Sequence, residues 1–202
     1  MSFEDAITII ESFWIESPLP LVGAGAVEVQ RISEEWQADL PAELSRYIQN
    51  FAPDAACDFS TVGNSVTLYA AGDIKKLAKG YNFNPVTNEH IEGWSDDWVL
   101  IGDEGADPII VDLSEGPACP VFLGQPGRGE WCFSPVADSL PQFLVLLSAR
   151  HHAVLGFDVE DSIIDDESGF NLAPEPAAWY FPFMKKHAGD YYPEWTGDFD
   201  NA

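Results

Sequence analysis

Carboxylates are the most abundant side chains in this sequence that could perform chemistry or bind a partner. Thirty-four Asp and Glu stand against nine Lys and Arg, and the formal net charge is −25 at pH 7. Acids concentrate in two groups, one between two apolar runs and the other directly after Gly156. The first group is Asp103, Glu104 and Asp107; the second is Asp158, Glu160, Asp161, Asp165, Asp166 and Glu167. Carboxylates can bind hard cations, exchange protons in hydrolysis, or attract a basic partner.

The spacing of these acids does not favour the first two kinds of chemistry. Neither group has the spacing of a helix–loop–helix calcium site, so both are interpreted as solvated acidic segments. The sequence gives no separation between carboxylates, and nothing in it favours a glycosidase pair. A hydrolase with dispersed carboxylates stays open as an alternative. The acids of both groups are therefore candidate partner-binding residues.

The remaining reactive side chains form no catalytic or metal pattern. His151 and His152 are neighbours, so their rings point in different directions, and the other histidines are His90 and His187. Three cysteines without a C-x-x-C pair predict reduced thiols. Nucleophile-elbow, phosphate-loop and dinucleotide motifs are absent from the sequence. We therefore predict a protein with no catalytic residues, no metal and no cofactor.

The net charge limits the classes of partner. It is far beyond the ~2–8 charges typical of a small soluble domain. A negative charge of this size repels nucleic acid and anionic membranes, which are also negatively charged. It can raise the association rate with a basic protein by a factor of ~10–10³. Solubility alone, or a salt-rich habitat, is the competing explanation.

No apolar run approaches the ~20 residues that span a bilayer, and the acidic N-terminus is unlike a signal peptide, so we predict a cytoplasmic protein.

Helical patterns occupy the beginning of the chain. Ser2 and Asp5 have the spacing of a capping box, and the residues after them place an apolar stripe on one helical face. The stripe is Phe3, Ile7, Ile10 and Trp14. The first helix should end near residues 17–18, and a second should cover residues 27–36. A third should follow Pro41, with its apolar positions at Leu44, Tyr47, Ile48 and Phe51.

The centre of the chain has the patterns of an antiparallel meander, followed again by helices. Strands are predicted at 66–70, 98–101, 108–113, 121–123 and 130–133, with a short helix at 73–79, a polar loop at 82–88 and hairpin loops at 102–107 and 125–129. A helix with its buried stripe at 140–147 should end at Gly156, and another should cover 173–187. This order predicts an α+β fold: an antiparallel sheet of about four to six strands with N-terminal and C-terminal helices packed on it.

The last part of the chain differs in composition. We predict one domain at residues 1–156 and an acidic, aromatic C-terminal extension at 157–202 that packs on the same domain. The aromatic side chains of this extension either complete the core or contact a partner. Trp179 and Trp195 are the candidate partner anchors.

Residues 98–113, WVLIGDEGADPIIVDL, resemble the central signature of the SUKH superfamily. Residues 40–48, LPAELSRYI, resemble the opening helix of that family, and the segments GEW at 129–131 and VADSL at 136–140 resemble its last strand and closing helix. The resemblance covers residues 25–150 in the family order. It departs from the family at residues 50–53, where many members have Asn-Gly, and the residues after 156 lie outside it.

This resemblance implies a small α+β domain without catalytic residues. The superfamily includes the fungal cell-wall-assembly regulator and many bacterial immunity proteins, which bind and neutralise toxins that are often nucleases. The expected partner is therefore a basic protein toxin domain, with nucleases among the candidates, and no direct binding to nucleic acid or membrane is expected. A regulatory scaffold that binds an endogenous protein is the alternative. The sequence does not indicate the oligomeric state.

Overall fold

The computed structural model describes residues 1–13, 22–75, 80–84, 86–91, 93–126, 131–167 and 169–202. Within these residues the α-helices are α1 Phe3–Phe13, α2 Gly25–Trp36, α3 Ala42–Asn50, α4 Leu140–Leu155, α5 Pro174–His187 and α6 Tyr192–Thr196. The strands are β1 Cys57–Phe59, β2 Val66–Leu68, β3 Phe83–Asn84, β4 Glu89–His90, β5 Trp98–Glu104, β6 Asp107–Asp112, β7 Val121–Pro126, β8 Trp131–Ala137, β9 Ile163–Asp166 and β10 Gly169–Leu172. None of these helices is long and apolar enough to cross a membrane.

The main sheet has six strands in the order β1-β2-β5-β6-β7-β8, and β3–β4 and β9–β10 form two small hairpins. The predicted α+β class is confirmed, as are the antiparallel sheet of about four to six strands and the helices near both termini.

The chain divides into two compact units. Unit 1 is Met1–Ser17, Asp58–Val66 and Pro141–Ala202; unit 2 is Pro18–Cys57 and Thr67–Leu140. The predicted domain boundary at residue 156 stays a prediction.

The capping box at the start of α1 is present. The Ser2 hydroxyl accepts the Asp5 backbone N–H at 3.1 Å, and the Asp5 carboxylate accepts the Ser2 backbone N–H at 3.3 Å. These bonds satisfy donors that have no partner within the first turn of a helix. Phe3 and Ile10 are buried, as the apolar stripe predicts. Trp14 and the predicted end of this helix lie outside the described residues.

In unit 2, α2 and α3 are joined through the backbone at their ends. The Gly23 N–H donates to the Ala52 carbonyl at 3.0 Å, and the Ala24 N–H donates to the Ile48 carbonyl at 2.9 Å. A Cβ at Gly23 would lie 2.2 Å from the Gln49 carbonyl oxygen, so only glycine permits this approach. The predicted apolar positions of α3 point inward: Leu44, Tyr47 and Ile48 are all fully buried.

The hairpin between β5 and β6 corrects the predicted six-residue loop at 102–107. The strands continue to the pair Glu104–Asp107 and are joined by only Gly105 and Ala106, whose φ angles are 58° and 82°. Two left-handed residues make the type I′ turn that suits the twist of antiparallel strands. The prediction was wrong because it interpreted acidic side chains as loop residues, although the ends of two strands beside a hairpin turn can carry them.

Other local predictions also changed. The helix predicted at 73–79 is not formed in its described part, where Ile74 is extended and Lys75 pairs with Leu100 of β5; the rest of it lies outside the described residues. The polar loop predicted at 82–88 contains β3 and leads into β4, and β1, β9, β10 and α6 were not predicted. The strand predicted at 66–70 ends at Leu68. The loop predicted at 125–129 lies largely outside the described residues.

Unit 1 contains an aromatic core that includes residues from its C-terminal part. Phe13 of α1 lies 5.1 Å from Trp179 and 5.3 Å from Phe183 of α5, measured between ring centroids. The Tyr180 hydroxyl is buried and donates to the Trp195 carbonyl at 2.6 Å. These contacts join α5 to both α1 and α6. The predicted helix at 173–187 is confirmed, with Pro182 inside it.

Candidate interaction surfaces

The first acidic group forms the tip of the β5–β6 hairpin in unit 2. An Asp103 carboxylate oxygen accepts the Ala106 backbone N–H at 3.3 Å, and the Tyr81 hydroxyl donates to the Ala106 carbonyl at 2.9 Å. Glu104 and Asp107 stand directly opposite each other on the two strands. Like charges in that position oppose pairing by about 0.2–1 kcal/mol.

Tyr69 connects the acidic tip to the sheet. Its hydroxyl donates to the other Asp103 carboxylate oxygen at 2.6 Å. Burial and this hydrogen bond raise the pKa of Tyr69 above its ordinary value. Burial and the negative charge of Asp103 likewise raise the pKa of Tyr81. Both hydroxyls therefore keep their protons and act as donors that orient the tip.

One face of the β5–β8 meander is aromatic, and the loop before β5 contributes to it. We call this set the aromatic face: Tyr69, Tyr81, Trp94, Trp98, Phe122, Trp131 and Phe133. It covers the buried side chains of Leu100 and Ile110. Six of its seven members are half-buried, whereas Trp94 is only 6% exposed. The aromatic face thus combines a closed centre with a partly accessible periphery.

The rings of the aromatic face pack closely against one another. The centroids of Trp98 and Phe133 are 4.4 Å apart, and Trp94 meets both rings edge-on at 5.6 and 5.9 Å. Tyr81 contacts Trp131 at 5.6 Å. A Cβ at Gly124 would lie 2.8 Å from the Phe133 ring, so the glycine provides the space that this ring occupies. Rigid aromatic side chains lose little conformational entropy when a partner binds.

Acidic groups lie at the rim of the aromatic face. Asp103 is bonded to Tyr69, and the Trp98 indole N–H donates to an Asp112 carboxylate oxygen at 2.9 Å. Partly exposed rings beside carboxylates suit a partner that presents apolar side chains among Lys or Arg. The rings would supply apolar area and cation–π attraction, and the carboxylates would supply ion pairs.

The second acidic group lies in unit 1, so the two groups belong to different units. All six of its side chains are exposed. Asp165 and Asp166 belong to β9, Glu167 follows that strand, and the other three acids precede it. The exposed apolar side chains of Ile164 and Phe170 lie on the same hairpin. The acids are solvent-exposed, and the last three of them lie in or beside the first strand of a hairpin that was not predicted.

The two candidate tryptophan anchors have different surroundings. Trp195 is only 5% exposed and packs 5.9 Å from Phe143, so its ring lies inside unit 1 and is not accessible to a partner. Trp179 is half-buried, stacks on Phe183 at 4.9 Å, and meets His152 at 4.8 Å. Its contacts hold α5 against neighbouring helices. We therefore do not assign the partner contact to either ring.

The paired histidines diverge, as their adjacency predicts. His151 accepts the Ser60 backbone N–H at its Nδ1 atom at 2.6 Å, whereas His152 lies between Phe13 and Trp179. Burial lowers the pKa of both imidazoles. Among the described residues, no three His, Cys, Asp or Glu side chains are close enough together to hold a metal ion.

A comparison with known families matches residues 23–145 to the SMI1 / KNR4 family (SUKH-1), more than half of the 202-residue chain. The chain belongs to this family. The predicted SUKH membership is thereby confirmed. No individual curated protein matches this SUKH-1 chain. The acidic tip and the aromatic face lie inside the matched region, and the β9–β10 hairpin lies outside it.

The aromatic face of this SUKH-1 protein was missed by sequence reasoning. Its signal is an alternation along neighbouring strands: Trp131 and Phe133 are two residues apart on β8, as are Phe122 and Gly124 on β7. Residues two apart on a strand share a face. Recognising the face also requires the register, because Gly124 pairs with Phe133 across β7 and β8.

Proposed function

We propose that this SUKH-1 protein is an immunity protein that binds a basic toxin domain and neutralises it by direct contact. Family membership supports an immunity-type or related role. The observation that carries the specific proposal is the aromatic face with its acidic rim, because it lies within the family region and has the chemistry of a protein-binding surface.

The charge explains why a toxin, and a nuclease in particular, is a suitable partner. A nuclease has a basic surface because it must hold a polyanionic substrate. A chain of net charge −25 is attracted to such a surface and can cover it. Glu104 and Asp107, directly opposite each other at the acidic tip, are part of the negative charge that would attract such a surface. Inhibition by occupancy needs no catalytic residue.

In this proposal the protein acts in the cytoplasm, where it meets the toxin before the toxin reaches its substrate. Binding should bury an interface of standard size, on the order of 1,600 Å². Charge would mainly increase the association rate, while apolar contacts at the aromatic face would slow dissociation. The two contributions can be separated experimentally because only the first is sensitive to salt.

The test is capture of partners from native lysate by the tagged protein at low and at high salt. We expect a basic toxin domain to be retained, more strongly at low salt. Replacing Glu104 and Asp107 with Gln and Asn should slow its association severalfold at low salt. The matched control is Glu34→Gln with Asp54→Asn, which removes the same charge from unit 2 at exposed positions.

Protection of cells that express the captured toxin completes the test. Wild-type protein and the control variant should protect, and the tip variant should protect less. Reproducible capture of a housekeeping protein, with no toxin, would instead favour the regulatory scaffold and contradict the immunity role. Equal protection by a folded tip variant would exclude the acidic tip from the interface.

A further inference from the structure

Among the residues that the structure describes, the β9–β10 hairpin is held along only one of its two outer edges. On β10, the Phe170 N–H donates to an Asp200 carboxylate oxygen at 2.9 Å, and the Phe170 carbonyl accepts the Asp200 N–H at 2.8 Å. The Asn201 side chain bonds to the N–H and the carbonyl of Leu172 at 3.0 and 2.9 Å. The outer edge of β10 is thereby occupied, and the hairpin is ordered before any partner arrives.

These bonds determine the direction of the β9 backbone groups. In an antiparallel pair, residues that bond outward alternate with residues that bond to the partner strand. Phe170 and Leu172 bond outward, and their cross-strand partners are Asp165 and Ile163. The N–H and carbonyl groups of Asp165 and Ile163 therefore point away from β10. Within the described residues these backbone groups accept and donate no hydrogen bond.

The charged side chains around this open edge determine which kind of chain can pair with it. The six acids of residues 158–167 are all exposed, and no Lys or Arg occurs between Arg150 and Lys185. Exposed strand edges invite pairing with any extended chain, and charged side chains limit that pairing. Here the carboxylates repel a second copy of this protein and attract a chain rich in Lys or Arg.

Exposed apolar side chains of the hairpin add a second requirement. Ile164 on the open strand β9 is 39% exposed, and Phe170 on the neighbouring strand β10 is 46% exposed. Because successive residues of a strand face opposite sides, an added strand with alternating basic and apolar side chains could contact both acids and apolar groups. Addition of a strand obtains affinity from main-chain hydrogen bonds and specificity from the alternate side chains.

We propose that the outer edge of β9 binds an extended basic segment of the toxin as an added strand. This inference rests on the proposed function for the identity of the partner, but not for the chemistry of the edge. The edge belongs to unit 1 and the aromatic face to unit 2, so the two sites share no residue and provide two sites of recognition on one protein.

The first experiment uses a synthetic peptide of alternating lysine and valine as the probe. Its affinity for the wild-type protein is compared with that of the same peptide N-methylated at every second backbone nitrogen. N-methylation keeps the charge and removes the hydrogen bonds that an added strand needs. We expect the N-methylated peptide to bind about tenfold more weakly. Equal affinities would overturn strand addition, and this arm requires no variant of the protein.

The second experiment separates backbone from charge at one position. Asp165→Pro removes an N–H that points outward, so the hairpin should persist, while Asp165→Ala removes the same charge and keeps the N–H. We expect Asp165→Pro to weaken peptide binding about tenfold and Asp165→Ala about two- to threefold, the latter only at low salt. Equal effects of the two substitutions would overturn the proposal.

Three further outcomes show whether the strand-addition proposal or the immunity role has failed. Dimerisation of the wild-type protein at high salt, abolished by Asp165→Pro, would show that the edge binds a second copy and would overturn the proposed occupant. A wild-type protein that binds the peptide as an added strand but captures no toxin would refute the immunity role alone. If wild type and Asp165→Pro capture the toxin equally, the immunity role stands and the edge proposal fails.

Discussion

Removal of the Tyr69 hydroxyl is the most direct test of how the acidic tip is built. A hydrogen bond to a charged acceptor contributes about 1.5–3 kcal/mol to stability when it is buried. Tyr69 and Asp103 are both half-buried, so water can replace part of the lost bond. We therefore expect Tyr69→Phe to lower the free energy of unfolding by about 1 kcal/mol, which corresponds to a fall in Tm of about 2–4 °C.

A double-mutant cycle isolates this bond from the other contacts of Asp103. Asp103→Ala should cost more than Tyr69→Phe, since it also removes the acceptor of the Ala106 N–H. Urea unfolding of the two single variants and the double variant should give a coupling energy of about 1 kcal/mol. Tyr192→Phe is the control, because Tyr192 is half-buried and its hydroxyl makes no hydrogen bond within the described residues. A coupling energy near zero would refute the bond.

Two other predictions concern steric contact and pH. Gly102→Ala should cost about 1–3 kcal/mol in urea unfolding, because its Cβ would lie 2.3 Å from the Thr67 carbonyl oxygen. Gly72→Ala should cost less, because its Cβ would meet a Glu28 carboxylate oxygen at an ordinary contact distance of 3.6 Å, and equal costs would contradict the contact at Gly102. Burial lowers the pKa of His151 in the folded state, so the unfolded state binds protons first and stability should fall as the pH drops below about 6.5. His151→Gln, which can still accept the Ser60 N–H, should flatten this pH profile of unfolding; an equally steep profile would exclude His151 as a source.

The elements with strong periodicity could be predicted from the sequence. The stripe of α3 and the capping box of α1 specify helices locally, because each depends on residues within two turns. The acidic segment at 163–172 could not be predicted in this way. Its hairpin depends on Asp200 and Asn201, which bond to β10 from a distant part of the sequence, and its first strand, IIDD, has no alternation of apolar and polar residues.

The sequence predicted the acidic residues of the candidate site but not its aromatic side chains. Asp103, Glu104 and Asp107 stand out by charge density, and they do lie together at one tip. Predicting the aromatic face requires the register of four strands and the position of Trp94 in a loop. The register cannot be predicted from the sequence of any single strand. Burial of Trp195 likewise depends on Phe143, far away in the chain. Composition alone cannot distinguish a core ring from a surface ring.

The division of unit 1 among three separate parts of the chain has a consequence during protein synthesis. Phe13 is translated long before its partners Trp179 and Phe183. Unit 2 lies between them in the chain and can fold while translation continues. Until then the apolar stripe of α1 has no core to enter. We therefore expect the nascent chain to depend on chaperones at this stage, and slower elongation should increase its aggregation.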